Sequence, residues 1–512
     1  MACTPLAPGR REVGTGRRVA RNTVLLSIGQ VVLAGSMGLW TIMVARYVGP
    51  EAFGVYAYAQ AGLTILTVVG SLGLDQLLTR DVAQRPEAGL RYLATFGLLR
   101  AGLMALILAG VVLAARATHY PPERTWIAML VGANAALMAL NTLVAALLNA
   151  HEAMGYTVVA QSANYLLTLG LGALAVWLRQ PFPVLLGLSA GASLVQLALS
   201  AVFALRIHGR PTGRLRSLPF PTSATLGLLW TALPFTLLQL ISTVRTYAPA
   251  LLLQYLTASD AAVGYFAAAQ RVHAVTVIVP DMLLQAAFPA FSSAYARERE
   301  RFPGMFERAY RYVMAATVPL ALGLWVLAPP LLGLLYGPRY APAGTTLQVL
   351  SVALLGGVGW VMGPAMLAMG RQTAYALIYI ATMAGAGVLS LWTIPRYGPA
   401  GAAGALVAGK LLQDAIYTAL IFRWLGLRFP AIWAGRIAVA SLLAAVALVL
   451  TVARAHSVLG GAIVMPAAYA GSLLALRTLS GEDWRYLAQL LPARVRRRLE
   501  GRLTGAQQEG EG

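Results

Sequence analysis

Four basic residues stand inside otherwise apolar stretches of this sequence: Arg100, Arg245, Arg271 and Lys410. A charge at the centre of a bilayer costs about 2.5–3.5 kcal/mol on insertion scales, so a cation kept there is rarely idle. Guanidinium is a planar fork that grips two oxygens of an oxyanion at once, whereas an ammonium is a compact point charge. The chemistry these residues offer is anion recognition at mid-membrane depth. Arg245 sits centrally in its stretch, and Pro234 and Pro249 are expected to interrupt the helix that carries it. Arg271 lies behind Tyr265 and Phe266, with His273 and Asp281 beyond it. Arg100 admits two readings: it faces a cavity, or it snorkels to the interface.

The acids near these positions are few. Lys410 and Asp414 are four residues apart and share one helix face, either as a neutralised pair that stiffens the helix or as an ion- or proton-coupled latch. Asp281 and Asp75 are the other candidates for coupling, Asp75 alternatively capping the end of its span in water. Cys3 is the single cysteine, which excludes an intrachain disulfide and thiolate metal sites. Five scattered histidines show no HxxxH or HExxH spacing. No metal, cofactor or catalytic residue is expected.

Composition says what must position these groups. Of 512 residues 58% are hydrophobic and only 11% charged, too little charge to coat a soluble protein of this length. The apolar residues come in blocks of about twenty, the length that crosses a hydrocarbon layer. Fourteen spans are expected, near 23–45, 54–77, 92–115, 126–149, 156–178, 183–206, 223–250, 261–288, 310–335, 344–369, 373–394, 399–423, 432–453 and 458–478. Merging neighbours would give twelve or thirteen. Arg17 and Arg18 precede the first span without a convincing cleavage site, so that span reads as an uncleaved helix.

The net charge is +21, and its basic residues lie between apolar blocks and at both ends. That distribution argues for membrane topology and against nucleic-acid binding. With the N-terminus placed inside, 28 basic residues fall in inner loops and seven in outer ones. Both termini are therefore expected to be cytoplasmic. The tail from Arg494 to Arg502, beside Trp484 and Tyr486, has the composition of a surface anchor for anionic lipid.

The chain also repeats itself. Gly54-Val-Tyr-Ala-Tyr-Ala-Gln60 opens the second span and Gly264-Tyr-Phe-Ala-Ala-Ala-Gln270 the eighth, 210 residues later. Ala145 to Tyr156 matches Pro364 to Tyr375, and Gln196 with Arg206 matches Gln413 with Arg423. Six spans separate the partners each time, so the copies are parallel and related by an axis along the membrane normal. The expected organisation is a cytoplasmic segment (1–22), a six-helix bundle (23–206), a basic linker (207–222), a second six-helix bundle (223–425), two extra peripheral helices (432–478) and a basic tail (479–512). The fold class is all-α and polytopic. Gly187 with Gly191, and Gly401, Gly404 and Gly409, are expected to let helices pack closely.

Three passages resemble a known group. They are Ala45-Arg-Tyr-Val-Gly-Pro-Glu-Ala-Phe-Gly-Val-Tyr56, then Leu251-Leu-Leu-Gln-Tyr-Leu256 with Val263 to Arg271, and Leu335-Tyr-Gly-Pro-Arg-Tyr-Ala-Pro-Ala343 with Met366 to Gly370. The chain is similar to the polysaccharide-transporter, or O-antigen flippase, branch of the multidrug/oligosaccharidyl-lipid/polysaccharide exporter superfamily. Members often carry an acidic residue before the Leu-Leu-Leu run of the seventh span, where this chain has Tyr247-Ala-Pro249.

The resemblance implies an inner-membrane flippase, not an enzyme. It would turn a polyprenyl-pyrophosphate-linked oligosaccharide to the outer leaflet for O-antigen (lipopolysaccharide), capsule or exopolysaccharide assembly. Its partners would be that lipid, the surrounding membrane lipids, a coupling proton or sodium ion, and other polysaccharide-assembly proteins. On this reading Arg245 is the first choice of pyrophosphate ligand, with Arg271, Arg100 and Lys410 as further cavity residues. Two other functions fit parts of the sequence. A cation-coupled drug or metabolite exporter would share the fold but usually buries carboxylates. A membrane glycosyltransferase or polymerase would need long outer loops bearing catalytic acids, and the outer loops here are short.

Overall fold

At three places a Gly-Pro dipeptide turns this helical chain. A computed structural model describes residues 12–119, 121–208, 223–357, 359–455, 458–476 and 478. The N-terminal residues to 11, the basic linker 209–222 and the tail from 479 lie outside the described residues, and so does the surface-anchor reading of that tail. Every described element is helical. In chain order they are α1 (Glu12–Ser71), α2 (Leu74–Gln84), α3 (Gly89–Ala117), α4 (Pro122–Ala150), α5 (Met154–Trp177), α6 (Phe182–His208), α7 (Ser223–Thr257), α8 (Asp260–Arg297), α9 (Phe302–Tyr336), α10 (Ala343–Val352), α11 (Gly359–Ala368), α12 (Gln372–Leu425), α13 (Ala431–Ala455) and α14 (Val458–Ala475). Nine helices among the described residues are long and apolar enough to cross a membrane. Each of the fourteen expected spans falls on helix, with α1 and α12 each holding two.

The kinks have one cause. Gly49 (φ 82°, ψ 174°) precedes Pro50 inside α1, and Gly398 (φ 54°, ψ −128°) precedes Pro399 inside α12. Gly337 (φ 92°, ψ 171°) precedes Pro338 after α9 and repeats the backbone of Gly49. Glycine alone takes such dihedrals without strain, and proline then starts the next helix, where its missing N–H costs nothing.

Three spans depart from the expected pattern. The second does not run unbroken from 54 to 77: Leu72 (φ 49°) and Gly73 (φ 64°) end α1, and α2 begins at Leu74. The tenth is split by a 3-10 turn at Ala353–Gly356 into α10 and α11. The seventh, conversely, is one helix that contains Pro234 and Pro249. A helical proline removes one backbone bond and kinks the helix, but its fixed φ is itself helical, so the helix continues.

The chain forms two compact units. The first comprises the described residues of Met1–Arg271 with Leu332–Ala343 and Gly387–Ala405. Its core packs Leu74, Leu77, Leu78 and Val82 of α2 against Phe96 of α3 and Leu143, Leu147 and Leu148 of α4. The second comprises the described residues of Val272–Leu331, Gly344–Ala386 and Leu406–Gly512. Its core joins Phe291, Phe302, Phe306 and Tyr310 to Met362 and Met366 of α11 and to Tyr417 and Phe422 of α12. The pair α13 and α14 lies on α9, where Leu448 and Met465 meet Val326 and Leu327, and the Tyr469 hydroxyl donates to the Ala315 carbonyl at 2.6 Å. Large apolar side chains stay exposed along whole faces, such as Leu98, Leu106 and Leu113 on α3, as a surface facing hydrocarbon requires.

The internal repeat has a physical signature inside the first unit. A Cβ on Gly54 would collide with the Asp260 carbonyl, and a Cβ on Gly264 would collide with the Pro50 carbonyl. Gly54 matches Gly264 in the repeat, and Pro50 matches Asp260 at the same offset of 210 residues. The contact is therefore reciprocal, as parallel copies about a two-fold axis demand. Glycine serves elsewhere as well: Gly401 approaches the Thr393 carbonyl and Gly409 lies against Ala386 and Thr382. Gly187, Gly191 and Gly404 meet nothing within 4 Å, so the GxxxG pair of α6 does not bring helices together as expected.

Because backbone rather than a flexible side chain fills the space at Gly54 and Gly264, alanine at either should cost about 3 kcal/mol or more. Thermal unfolding of purified G54A and G264A should show a large drop in midpoint. Wild-type midpoints would show that the two segments do not approach so closely.

Candidate functional site

Polar residues recur at helical spacing on the inner faces of the first unit. On α1 they are Gln60, Thr64, Thr67 and Ser71, the i, i+4, i+7, i+11 series that lines one side of a helix. On α4 they are Asn134 and Thr142, on α5 Asn164, Tyr165 and Thr168, and on α6 Ser189 and Ser193. These stripes, with Thr236 and Gln239 of α7 and Arg271 of α8, enclose a cavity of about 470 Å³. Its aromatic walls are Trp40, Tyr56 and Tyr165. Volumes of this order are typical of small-molecule and head-group sites.

The amides behind the wall are held by one another. Asn164 Nδ2 donates to Gln196 Oε1 at 2.6 Å and to Ser193 Oγ at 3.3 Å, Ser193 Oγ donates to Asn134 Oδ1 at 2.6 Å, and Thr168 Oγ1 donates to Asn164 Oδ1 at 3.0 Å. Asn141 Nδ2 donates to the Ser193 carbonyl at 3.0 Å. Such a network fixes rotamers and holds its members in place for recognition.

Arg271 is the cation among the described lining residues. Its Nη2 donates to Gln60 Oε1 at 3.0 Å, so its recorded partner is a neutral amide and its charge remains for the cavity. Gln60 closes the first copy of the repeat, and Arg271 directly follows the second. Its counterpart at the same offset is Ala61, so only one copy carries the charge.

Arg100 does something else. It is fully buried and stitches the break between α1 and α2. Nη2 donates to the Ser71 carbonyl at 3.0 Å, and Nη1 donates to Asp75 Oδ1 at 2.7 Å, to the Ala139 carbonyl at 2.7 Å and to Thr142 Oγ1 at 3.2 Å. One guanidinium thus serves the last turn of α1, the first turn of α2 and the middle of α4. It neither snorkels nor lines the cavity. Its partner Asp75 does line it, and is the single carboxylate among the described lining residues.

The other sequence candidates with described side chains are not among the residues that line this cavity. Arg245 is exposed on α7, six residues past Gln239 and so about 120° around the helix from the lining face. Lys410 and Asp414 form an ion pair in the second unit, with Asp414 buried. The side chain of Asp281 lies outside the described residues. Of the seven candidates, then, the structure brings Arg271 and Asp75 to one cavity. Sequence reasoning missed the lining of Gln60, Asn134, Asn164, Tyr165 and Ser193, whose signal was polar residues recurring every three or four positions within apolar spans.

Asp75→Ala would strand a buried guanidinium and should cost about 3–5 kcal/mol, whereas Arg100→Leu with Asp75→Leu should recover most of that loss. Unfolding midpoints of the single and double variants test this; equal losses in both would show that Asp75 is not Arg100's counter-charge.

Comparison with known proteins agrees with this architecture. Among solved structures the fold is similar to a lipid II flippase MurJ in an inward closed conformation, with a TM-score of 0.68, 14% identity, and coverage of 89% of this chain and 99% of that one. It is also similar to an inward-facing multidrug resistance MATE family transporter of the MOP superfamily, with a TM-score of 0.55, 13% identity and coverage of 78% and 94%. A MOP superfamily transporter from Pyrococcus furiosus, described as having reversed polarity in its binding pocket, gives 0.54 at 16% identity, covering 79% and 95%. No curated protein matches the chain. Residues 19–295 match the family described as polysaccharide biosynthesis protein, and the chain belongs to that family.

Proposed function

We propose that this protein is a flippase, translocating a polyprenyl-pyrophosphate-linked oligosaccharide from the cytoplasmic to the outer leaflet of the inner membrane by alternating access. The observation that carries the reading is the charge of the cavity. Arg271 faces it through a neutral partner, while the one lining carboxylate is committed to Arg100. A chamber with a net positive wall favours an anionic passenger. The amides, hydroxyls and aromatic rings around it are groups that hydrogen-bond and stack on sugars. The pyrophosphate would lie against Arg271 and Gln60, the glycan among Asn134, Tyr165 and Ser193, and the prenyl tail in lipid.

Within this reading the bundles 23–206 and 223–425 are the moving halves, both termini are cytoplasmic, and the product feeds O-antigen, capsule or exopolysaccharide assembly. Arg245 on α7 is a second pyrophosphate ligand, engaged during the cycle rather than in the cavity described here. Similarity of fold to a lipid II flippase and membership of a polysaccharide biosynthesis family support the class of passenger.

Deletion of the gene should leave lipid-linked intermediates in the cytoplasmic leaflet, and raised drug sensitivity with unchanged glycans would point to an exporter instead. Arg271→Ala should insert normally and slow flipping about 10–100-fold, the worth of a charge-assisted hydrogen bond. Unimpaired flipping by that variant would remove Arg271 from the site.

A further inference from the structure

Within the second unit, the Lys410–Asp414 pair does not lie along an open helix face. Lys410 Nζ donates to the Gly356 carbonyl at 3.2 Å as well as to Asp414, and Gly356 belongs to the 3-10 turn that separates α10 from α11. A helix break leaves carbonyl oxygens without intrahelical partners, and this one is used by an ammonium from α12. The approach depends on glycine. A Cβ at Gly356 would strike the Asp414 carboxylate, and one at Gly359 would strike that carboxylate and come within 2.6 Å of Lys410 Nζ. Main chain therefore floors the socket.

A third oxygen is present. Thr317 of α9 is fully buried, and its Oγ1 has no hydrogen-bond partner. It lies against the same turn, since a Cβ on Gly357 would come within 2.5 Å of Thr317 Oγ1. A buried hydroxyl left unsatisfied costs about 1–3 kcal/mol, so its retention needs a reason. A carboxylate and a main-chain carbonyl on one positive charge, with a hydroxyl beside the same turn, are the kinds of oxygen donor a hard cation takes.

We propose that Lys410 is a tethered cation occupying a monovalent-cation site formed by Asp414, the Gly356 carbonyl and the Thr317 hydroxyl, and that shortening the lysine opens this site to Na⁺. The ammonium carries the charge of the ion it replaces but cannot leave, so the site stays filled in the wild-type protein without sodium. This goes beyond the identity of the passenger: it concerns a second binding site in the other unit and holds for any cargo.

The test is thermal unfolding of the full-length protein in sodium chloride against choline chloride. Lys410→Ala should be stabilised by a few degrees in sodium, the wild type should be indifferent, and Lys410→Ala with Asp414→Asn should fold and respond to neither salt. Adding Thr317→Val to Lys410→Ala should remove most of the sodium response. A Lys410→Ala protein recovered only when purified in sodium would equally support the site. A folded Lys410→Ala indifferent to sodium would overturn the proposal, as would a wild type stabilised to the same degree. So would a Lys410→Ala that fails in both salts, whether or not the double variant folds, because the lysine would then be required for packing rather than charge.

Discussion

Charge inside hydrocarbon must be answered where it stands, and much of this structure follows from how that is done. Arg100 and Lys410 are each answered by a carboxylate and by a carbonyl at a broken helix: Asp75 with the Ser71 carbonyl, Asp414 with the Gly356 carbonyl. A helix break in a membrane exposes main-chain groups that water cannot reach. A buried cation has the complementary problem. Bringing the two together solves both, which is why the basic residues and the breaks coincide. Arg271 is the exception, since the partner recorded for it is an uncharged amide.

The helices and their order were legible in the sequence because hydropathy reports them directly. A twenty-residue apolar block has few alternatives, and all fourteen blocks lie on helix. The repeat was legible too, through Gly54 and Gly264, whose close contacts with the opposite copy tolerate no side chain. The breaks were not. Leu72–Gly73 and Gly356–Gly357 sit in stretches as apolar as their neighbours, and hydropathy averages over the few residues that decide a backbone turn. Proline misled in the opposite direction, since α7 continues through Pro234 and Pro249.

The site was half legible for a related reason. Single charges stand out in an apolar span, so Arg271 and Asp75 were found at once. What a charge faces depends on rotation about the helix axis, which spacing from a span edge does not give. Arg100 and Arg271 look alike in sequence, yet one is sealed behind the wall and the other lines the cavity. The neutral lining was harder still. Gln60, Asn134, Asn164 and Ser193 come from four segments of chain and become a surface only when those segments pack.

Symmetry and charge are divided unequally. The reciprocal glycine contact needs both copies of the repeat to be alike at 54 and 264, but the residues at 61 and 271 are alanine and arginine. The repeat supplies the matched packing at these two glycines. A guanidinium at both matched positions would add a further desolvation cost of several kcal/mol. Keeping Ala61 while placing Arg271 retains the matched packing and confines the expensive group to one copy.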